Sequence, residues 1–138
     1  MLRRFVLAAL TIPDWLYGRR AAGLDLGPGA LAAGWATLMI CRPEMFDRGS
    51  FVGMGWVPDP IWIFLMVVMT ILHLAGLVRP NWRPLRTSAA LLSAWAWIFV
   101  AVSFARVEIG TGVIAYGIFG IGALGASFYL AGQPRERR

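Results

Sequence analysis

The sequence predicts an all-α protein: a transmembrane four-helix bundle with a short amphipathic N-terminal interfacial helix. Of its 138 residues, 59% are hydrophobic and only 14% are charged, against about 25% charged residues in an average soluble domain. A chain of this length cannot bury so much apolar surface by folding in water. The second observation is that its arginines bracket long apolar runs, as they do in membrane proteins. The predicted solvent is therefore lipid.

Four apolar segments approach the length of a membrane span, which is about 20 residues for roughly 30 Å of hydrocarbon. The predicted spans are residues 21–41, 60–78, 88–105 and 109–131 of a single integral membrane domain covering residues 1–138. The last three spans contain no Asp, Glu, Lys or Arg. They are the clearest membrane-crossing segments of the chain.

The first span is less uniform, because it carries Asp25 and a Gly-Pro-Gly triplet at residues 27–29. Proline is tolerated in the first turn of a helix and kinks the helix further in. Either the span starts near Asp25, or one longer helix starts at Asp14 and bends at Pro28. Pro13 followed by Asp14 is a good helix start, and this favours the longer helix.

The connection between the first two spans, residues 42–59, is the longest in the chain. It holds three glycines and two prolines together with Phe46, Phe51, Met54 and Trp56. This composition is too apolar for a free linker. We therefore expect the connection to fold back onto the membrane surface or onto the outer ends of the helices.

Arginine distribution predicts the orientation in the membrane. All 13 basic residues are arginine and the net charge is +6. With four spans, the N-terminal segment, the second connection and the C-terminal tail share one side, and these carry Arg3, Arg4, Arg19, Arg20, Arg79, Arg83, Arg86, Arg135, Arg137 and Arg138. The other side carries only Arg42, Arg48 and Arg106. The positive-inside rule then places both termini in the cytoplasm, and the membrane is predicted to be a bacterial inner membrane.

The same arginines have a second predicted role at the lipid headgroups. Those assigned to it are Arg3, Arg4, Arg19, Arg20, Arg79, Arg83 and Arg86. Arginines near a membrane surface attract anionic lipid at about 1 kcal/mol each. The expected partner of the positive charge is therefore the bilayer, and no nucleic-acid partner is expected.

Residues 1–12 are predicted to form the interfacial helix. Arg3 and Arg4 precede a short apolar stretch, which resembles the start of a secretory signal, but no small-x-small cleavage site follows. We expect an amphipathic helix on the cytoplasmic leaflet, with the two arginines at the phosphates and Phe5 and Ile12 on the side that faces the lipid.

Polar residues within the spans are the candidates for function, because polar groups in lipid are costly. Counting 1.5 Å per helical residue places five of them in the inner half of the membrane: Asp25, His73, Ser93, Ser127 and Tyr129. One interpretation is a proton-sensitive or ion-coordinating pair, since a carboxylate beside His73 would favour the charged imidazole. In the other, Asp25 caps a helix or reaches the headgroups and His73 hydrogen-bonds across helices.

The fourth span is rich in glycine, and small residues allow helices to approach closely in lipid. The residues predicted to pack helices are Gly117, Gly120, Gly122, Gly125 and Ala126. Gly122 with Ala126, and Ala123 with Ser127, have the small-x-x-x-small spacing. This face is predicted either to pack within the chain or to form the seam of a homo-oligomer.

Catalytic patterns are few in this sequence. It has one His and one Cys, and it contains no phosphate-binding loop and no cluster spaced to bind a metal. We therefore expect a protein that is not an enzyme and that carries no cofactor and no metal.

Residues 13–18, Pro-Asp-Trp-Leu-Tyr-Gly, with the glycine-rich span and the four-span layout, resemble small integral membrane proteins of phage and prophage genomes. The resemblance implies an inner-membrane protein with a holin-like role, assembling until it opens lesions. It carries over no functional residue. A channel or transporter with the Asp25 and His73 layer along its path, and an accessory subunit that docks through its glycine face, are the alternatives.

Overall fold

A computed structural model describes residues 21–132, which are helical with no strand in that range. Its α-helices are α1 (Gly23–Cys41), α2 (Asp59–Val78), α3 (Arg83–Ala105) and α4 (Thr111–Gly132). By length and composition, all four could cross a membrane. The all-α class and the four candidate spans are thus confirmed at this level. The predicted interfacial helix, and with it Arg3, Arg4, Arg19 and Arg20, lies outside the described residues.

Helix α1 begins at Gly23, two residues after a backbone conformation that is incompatible with an α-helix. Ala21 has φ +41°, whereas a right-handed helix requires φ near about −63°. A continuous helix from Asp14 to the span cannot pass through Ala21, so that interpretation is wrong. Pro28 lies inside α1, where its missing N–H leaves the carbonyl of Leu24 without its usual intrahelical donor.

Helices α2 and α3 both begin with a proline in their first turn. Pro60 follows Asp59 in α2 and Pro84 follows Arg83 in α3, positions where the fixed φ of proline suits a helix and its missing N–H costs nothing. Asp59 also places a negative charge at the positive end of the α2 dipole. Helix α3 starts at Arg83 rather than near residue 88, and its first turn therefore includes Arg86.

The helices pack in chain order, α1 against α2, α2 against α3, and α3 most extensively against α4. Gly120 lies at the α3–α4 contact, where a β-carbon would be 2.6 Å from Cγ1 of Ile98 and 3.3 Å from the carbonyl oxygen of Ala94. Ala123 and Ser127 are buried on the same side of α4. Small residues at these positions let the two backbones approach closely.

Aromatic rings fill the middle and the α1 C-terminal end of the helix assembly. Trp35 lies edge-on to Trp97 and to Tyr116, with ring centroids 5.7 Å and 5.2 Å away. Trp97 and Tyr116 are stacked at 5.6 Å. This trio joins α1, α3 and α4 in one contact and anchors them away from the polar residues at the other end.

The α1–α2 connection forms two short 3-10 helices, Pro43–Asp47 and Gly49–Met54, and folds onto the helix ends as predicted. Phe51 places its ring 5.1 Å from that of Phe104. The Trp62 indole N–H donates a 3.2 Å hydrogen bond to the carbonyl of Met54, a residue with no exposed surface. The connection is therefore part of the packed core.

Candidate functional site

Three helices contribute side chains to one buried polar network. Asp25 comes from α1, His73 from α2, and Arg86 and Ser93 from α3. None of the four residues is more than 2% exposed. We call these four residues the polar network. It joins the N-terminal end of α1 and the first turns of α3 to the C-terminal part of α2.

Asp25 is the centre of the network, because its two carboxylate oxygens have different partners. Oδ2 accepts a hydrogen bond from Nε of Arg86 at 2.6 Å, and Oδ1 lies 3.2 Å from Nδ1 of His73. The Asp25 and Arg86 charges cancel. Removing two charges from water is costly, and a close pair with further hydrogen bonds offsets that cost.

Arg86 uses its remaining donors on backbone carbonyls. Nη2 donates to the carbonyl of Ala21 at 2.9 Å, and Nη1 donates to that of Pro80 at 3.2 Å. Ala21 lies two residues before the start of α1, and Pro80 lies between α2 and α3. One guanidinium therefore connects a carboxylate with the two backbone segments at this end of the protein.

Both ring nitrogens of His73 have a partner. Nε2 lies 2.7 Å from Oγ of Ser93, on the side of the ring opposite Asp25. An ionised carboxylate only accepts, so in the neutral ring Nδ1–H donates to Asp25 and Nε2 accepts from the Ser93 hydroxyl. In the protonated ring, Nε2–H donates to the Ser93 oxygen instead. His73 can therefore gain a proton without losing either contact.

Two glycines give the network its space. A β-carbon on Gly76 would be 2.7 Å from Oδ1 of Asp25 and 3.2 Å from Cγ of Arg86. A β-carbon on Gly29 would be 3.0 Å from Cβ of His73. Gly76 and His73 are three residues apart and thus share one face of α2. This face therefore carries the imidazole, and at Gly76 it leaves the space that Asp25 and Arg86 occupy.

Three of the five residues predicted for the polar layer meet in this site: Asp25, His73 and Ser93. The other two do not join it. The hydroxyl of Ser127 donates to the carbonyl of Leu124 in its own helix at 2.7 Å. Tyr129 is 51% exposed. Estimating depth from helical rise placed all five at one level, but it does not give the rotation of α4 about its axis.

Arg86 does not lie at the lipid headgroups, so the role predicted for it there is wrong. Its side chain is 2% exposed and paired with Asp25, because an internal carboxylate neutralises it. A sequence signal for this existed: Arg86 lies seven residues before Ser93, on the α3 face that also buries Ala89 and Ala90. Arg79 is exposed, and its guanidinium lies 5.7 Å from the Trp82 ring centroid.

The residues predicted to pack helices divide into two groups. Gly120 is buried against α3. Gly117, Gly122 and Gly125 have open space where a β-carbon would stand, and Ala126 is half-buried. The buried residues of α4 are Gly120, Ala123, Ser127 and Leu130, while Gly122 and Gly125 lie on its exposed side.

The order Ser93, His73, Asp25 uses the same ring nitrogens as a serine hydrolase triad, with Nε2 toward the hydroxyl and Nδ1 toward the carboxylate. Neither Ser93 nor His73 has exposed surface, so no substrate reaches the hydroxyl in this conformation. Among residues 21–132, no group of three His, Cys, Asp or Glu side chains could hold a metal ion.

Comparison of the chain with known protein families, with curated proteins and with solved structures gives no match.

Proposed function

We propose that the chain is a small multi-pass protein of the bacterial inner membrane, of the channel or transporter class, whose activity depends on proton binding at His73. The observation that carries this proposal is the position of the imidazole: fully buried, with a carboxylate on one ring nitrogen and a hydroxyl on the other. Ionisable side chains in spans are expensive and mark proton relays and ion pathways. Histidine is the side chain that changes charge near neutral pH.

The proposed orientation rests on the arginines outside the polar network. Arg79 and Arg83 are near the end of the helices where the network lies, and Arg42, Arg48 and Arg106 are near the opposite end. By the positive-inside rule, the end with Arg79 and Arg83 is assigned to the cytoplasm, together with both termini. On this assignment, the polar network lies in the cytoplasmic half of the membrane.

Purified protein in liposomes tests the proposal. With a pH-sensitive dye inside, wild-type liposomes are expected to show a proton flux that empty liposomes lack. His73→Ala is expected to lower the flux and flatten its dependence on pH. Tyr129→Phe is the matched control, because Tyr129 is exposed and outside the network. Equal flux and an equal pH profile in wild type and His73→Ala contradict the proposal.

A holin-like oligomer is the second candidate, favoured by the exposed side of α4. Gly122 and Gly125 are exposed there with no atom of the described chain close to the position of a β-carbon, and such glycines permit close approach of a second helix. Induced expression in a bacterial host separates the classes. Abrupt loss of membrane potential and viability supports the holin-like candidate, whereas pH-dependent flux without killing supports the transporter class. Neither effect, with co-purification of a partner, supports an accessory subunit.

A further inference from the structure

We infer that Arg86 and the protonated His73 ring compete for the Asp25 carboxylate, so that proton uptake releases Arg86 from the two backbone segments that it holds. This inference rests on the proposed function, because it requires His73 to take up a proton. It adds a second residue to the mechanism and a defined structural consequence.

The net charge of the polar network depends on whether His73 is neutral or protonated. With a neutral imidazole, the negative Asp25 and the positive Arg86 sum to zero, and both ring nitrogens are satisfied. A proton on His73 leaves two positive groups on one carboxylate in a site where no member is more than 2% exposed. Two like charges that share one counter-ion away from water repel each other. This repulsion favours the departure of one of the two cations from the Asp25 carboxylate.

The other groups around His73 do not change this net charge. On α1, the charged group of the site is Asp25. Helix α3 contributes the charged Arg86 and the neutral hydroxyl of Ser93. On α2 itself, the acid Asp59 is at the opposite end of the helix. Of the α4 tyrosines, Tyr116 packs against Trp35 and Trp97, and Tyr129 is half exposed. Among the described residues, Asp25 is thus the carboxylate for which both cations compete.

Of the two cations, Arg86 is the one whose charged group can move from the Asp25 carboxylate to the membrane surface. It lies three residues after the first residue of α3, which is about 4.5 Å of helical rise, and the long stem of an arginine can carry its charge to a membrane surface. On the α2 side, its stem passes Gly76, which has no side chain to block it. His73 lies on a shorter side chain inside α2 and cannot follow the same route.

Release of Arg86 removes its bonds to the carbonyls of Ala21 and Pro80. Both belong to the backbone at the network end of the helices, whereas the trio of Trp35, Trp97 and Tyr116 is unaffected. Proton uptake is therefore expected to loosen the start of α1 and the loop between α2 and α3 while the aromatic contacts hold. Through these two backbone segments, proton uptake could change access to the polar network.

The test uses the fact that the chain has a single histidine. In lipid nanodiscs, ring ¹⁵N shifts of labelled histidine report only His73, and the Arg Nε resonance that is missing from Arg86→Gln reports Arg86. Over about pH 5 to 8, we expect the Arg86 resonance to change from paired to hydrated at the same midpoint as the His73 ring. In Arg86→Gln the competitor for the Asp25 carboxylate is absent, so the His73 ring is expected to stay protonated to a higher pH than in the wild type.

A midpoint in Arg86→Gln equal to that of wild type, or an Arg86 resonance that stays paired while His73 titrates, overturns the competition and leaves the proposed function standing. If His73 does not titrate, the proposed function fails with it. Should Arg86→Gln not fold, the two wild-type resonances still decide between these results. Arg79→Gln, which alters an exposed arginine, is the control and is expected to leave the midpoint unchanged.

Discussion

Gly76 lies directly against the carboxylate of Asp25, and a β-carbon added there would be 2.7 Å from Oδ1. The backbone of α2 thus forms one wall of the ion-pair site. The contact explains how a carboxylate and a guanidinium fit between three helices that are otherwise packed through apolar side chains.

The first prediction concerns this contact. Gly76→Ala is expected to lower the free energy of unfolding by about 1–3 kcal/mol, the usual cost of overpacking, because Asp25 and Arg86 must both shift. Gly34→Ala is the matched control, since Gly34 is also within a helix but has open space at the β-carbon position. Thermal unfolding in detergent compares the two variants. Equal stability of the two variants would show that the close contact does not exist.

The ion pair supplies the second prediction. Arg86→Met leaves the Asp25 charge buried without its main partner, which costs about 3–5 kcal/mol when such a pair is broken. Adding Asp25→Asn removes the remaining charge, so the double variant is expected to recover much of the loss. The four proteins of this double-mutant cycle are compared by their unfolding midpoints in detergent. Strictly additive losses would be inconsistent with a direct pair.

The sequence predicts part of this site, and the reason is geometric. Asp25, His73 and Ser93 were placed together because helical rise gives each its depth in the membrane. The sequence predicts Arg86 at the lipid surface because a charged residue at the end of an apolar run is typical of an interface, and only a tertiary partner overrides that pattern.

The start of α1 differs from the prediction for a similar reason. The local signal at Pro13 and Asp14 favours a helix start, but the left-handed conformation of Ala21 is incompatible with a helix that continues into α1. The carbonyl of that residue accepts a hydrogen bond from Arg86, which is more than sixty positions further along the chain. No local pattern encodes such a contact.

A third prediction concerns the α1–α2 connection. Gly53 packs so tightly against the backbone carbonyl of Ser103 that a β-carbon has no room, and the neighbour is backbone that cannot rotate away. Gly53→Ala is expected to displace the connection from α3 and to destabilise the protein by about 1–3 kcal/mol or more. Gly55→Ala, in the same connection and with ordinary contacts, is the control. The quantity to compare is the unfolding temperature, and an unchanged value for Gly53→Ala would refute the contact.

The two sides of α4 give the fourth prediction. Gly120→Leu places a large side chain against Ile98 and Ala94 of α3 and is expected to prevent correct packing of the chain itself. Gly122→Leu faces open space and is expected to leave the monomer folded. Size-exclusion chromatography with light scattering then reads the oligomeric state. If Gly122→Leu alone dissociates an oligomer, this face forms the seam. An unaffected oligomer excludes close helix packing at Gly122.

The ¹⁵N spectrum of the single histidine in lipid, recorded across about pH 5 to 8, decides whether His73 binds a proton beside Asp25. We expect a neutral ring protonated on Nδ1 at the alkaline end, with Nε2 accepting from Ser93, and a doubly protonated ring at the acid end. A neutral ring protonated on Nε2, or a ring that never titrates in this range, would contradict the claim that His73 binds a proton within the Asp25 network.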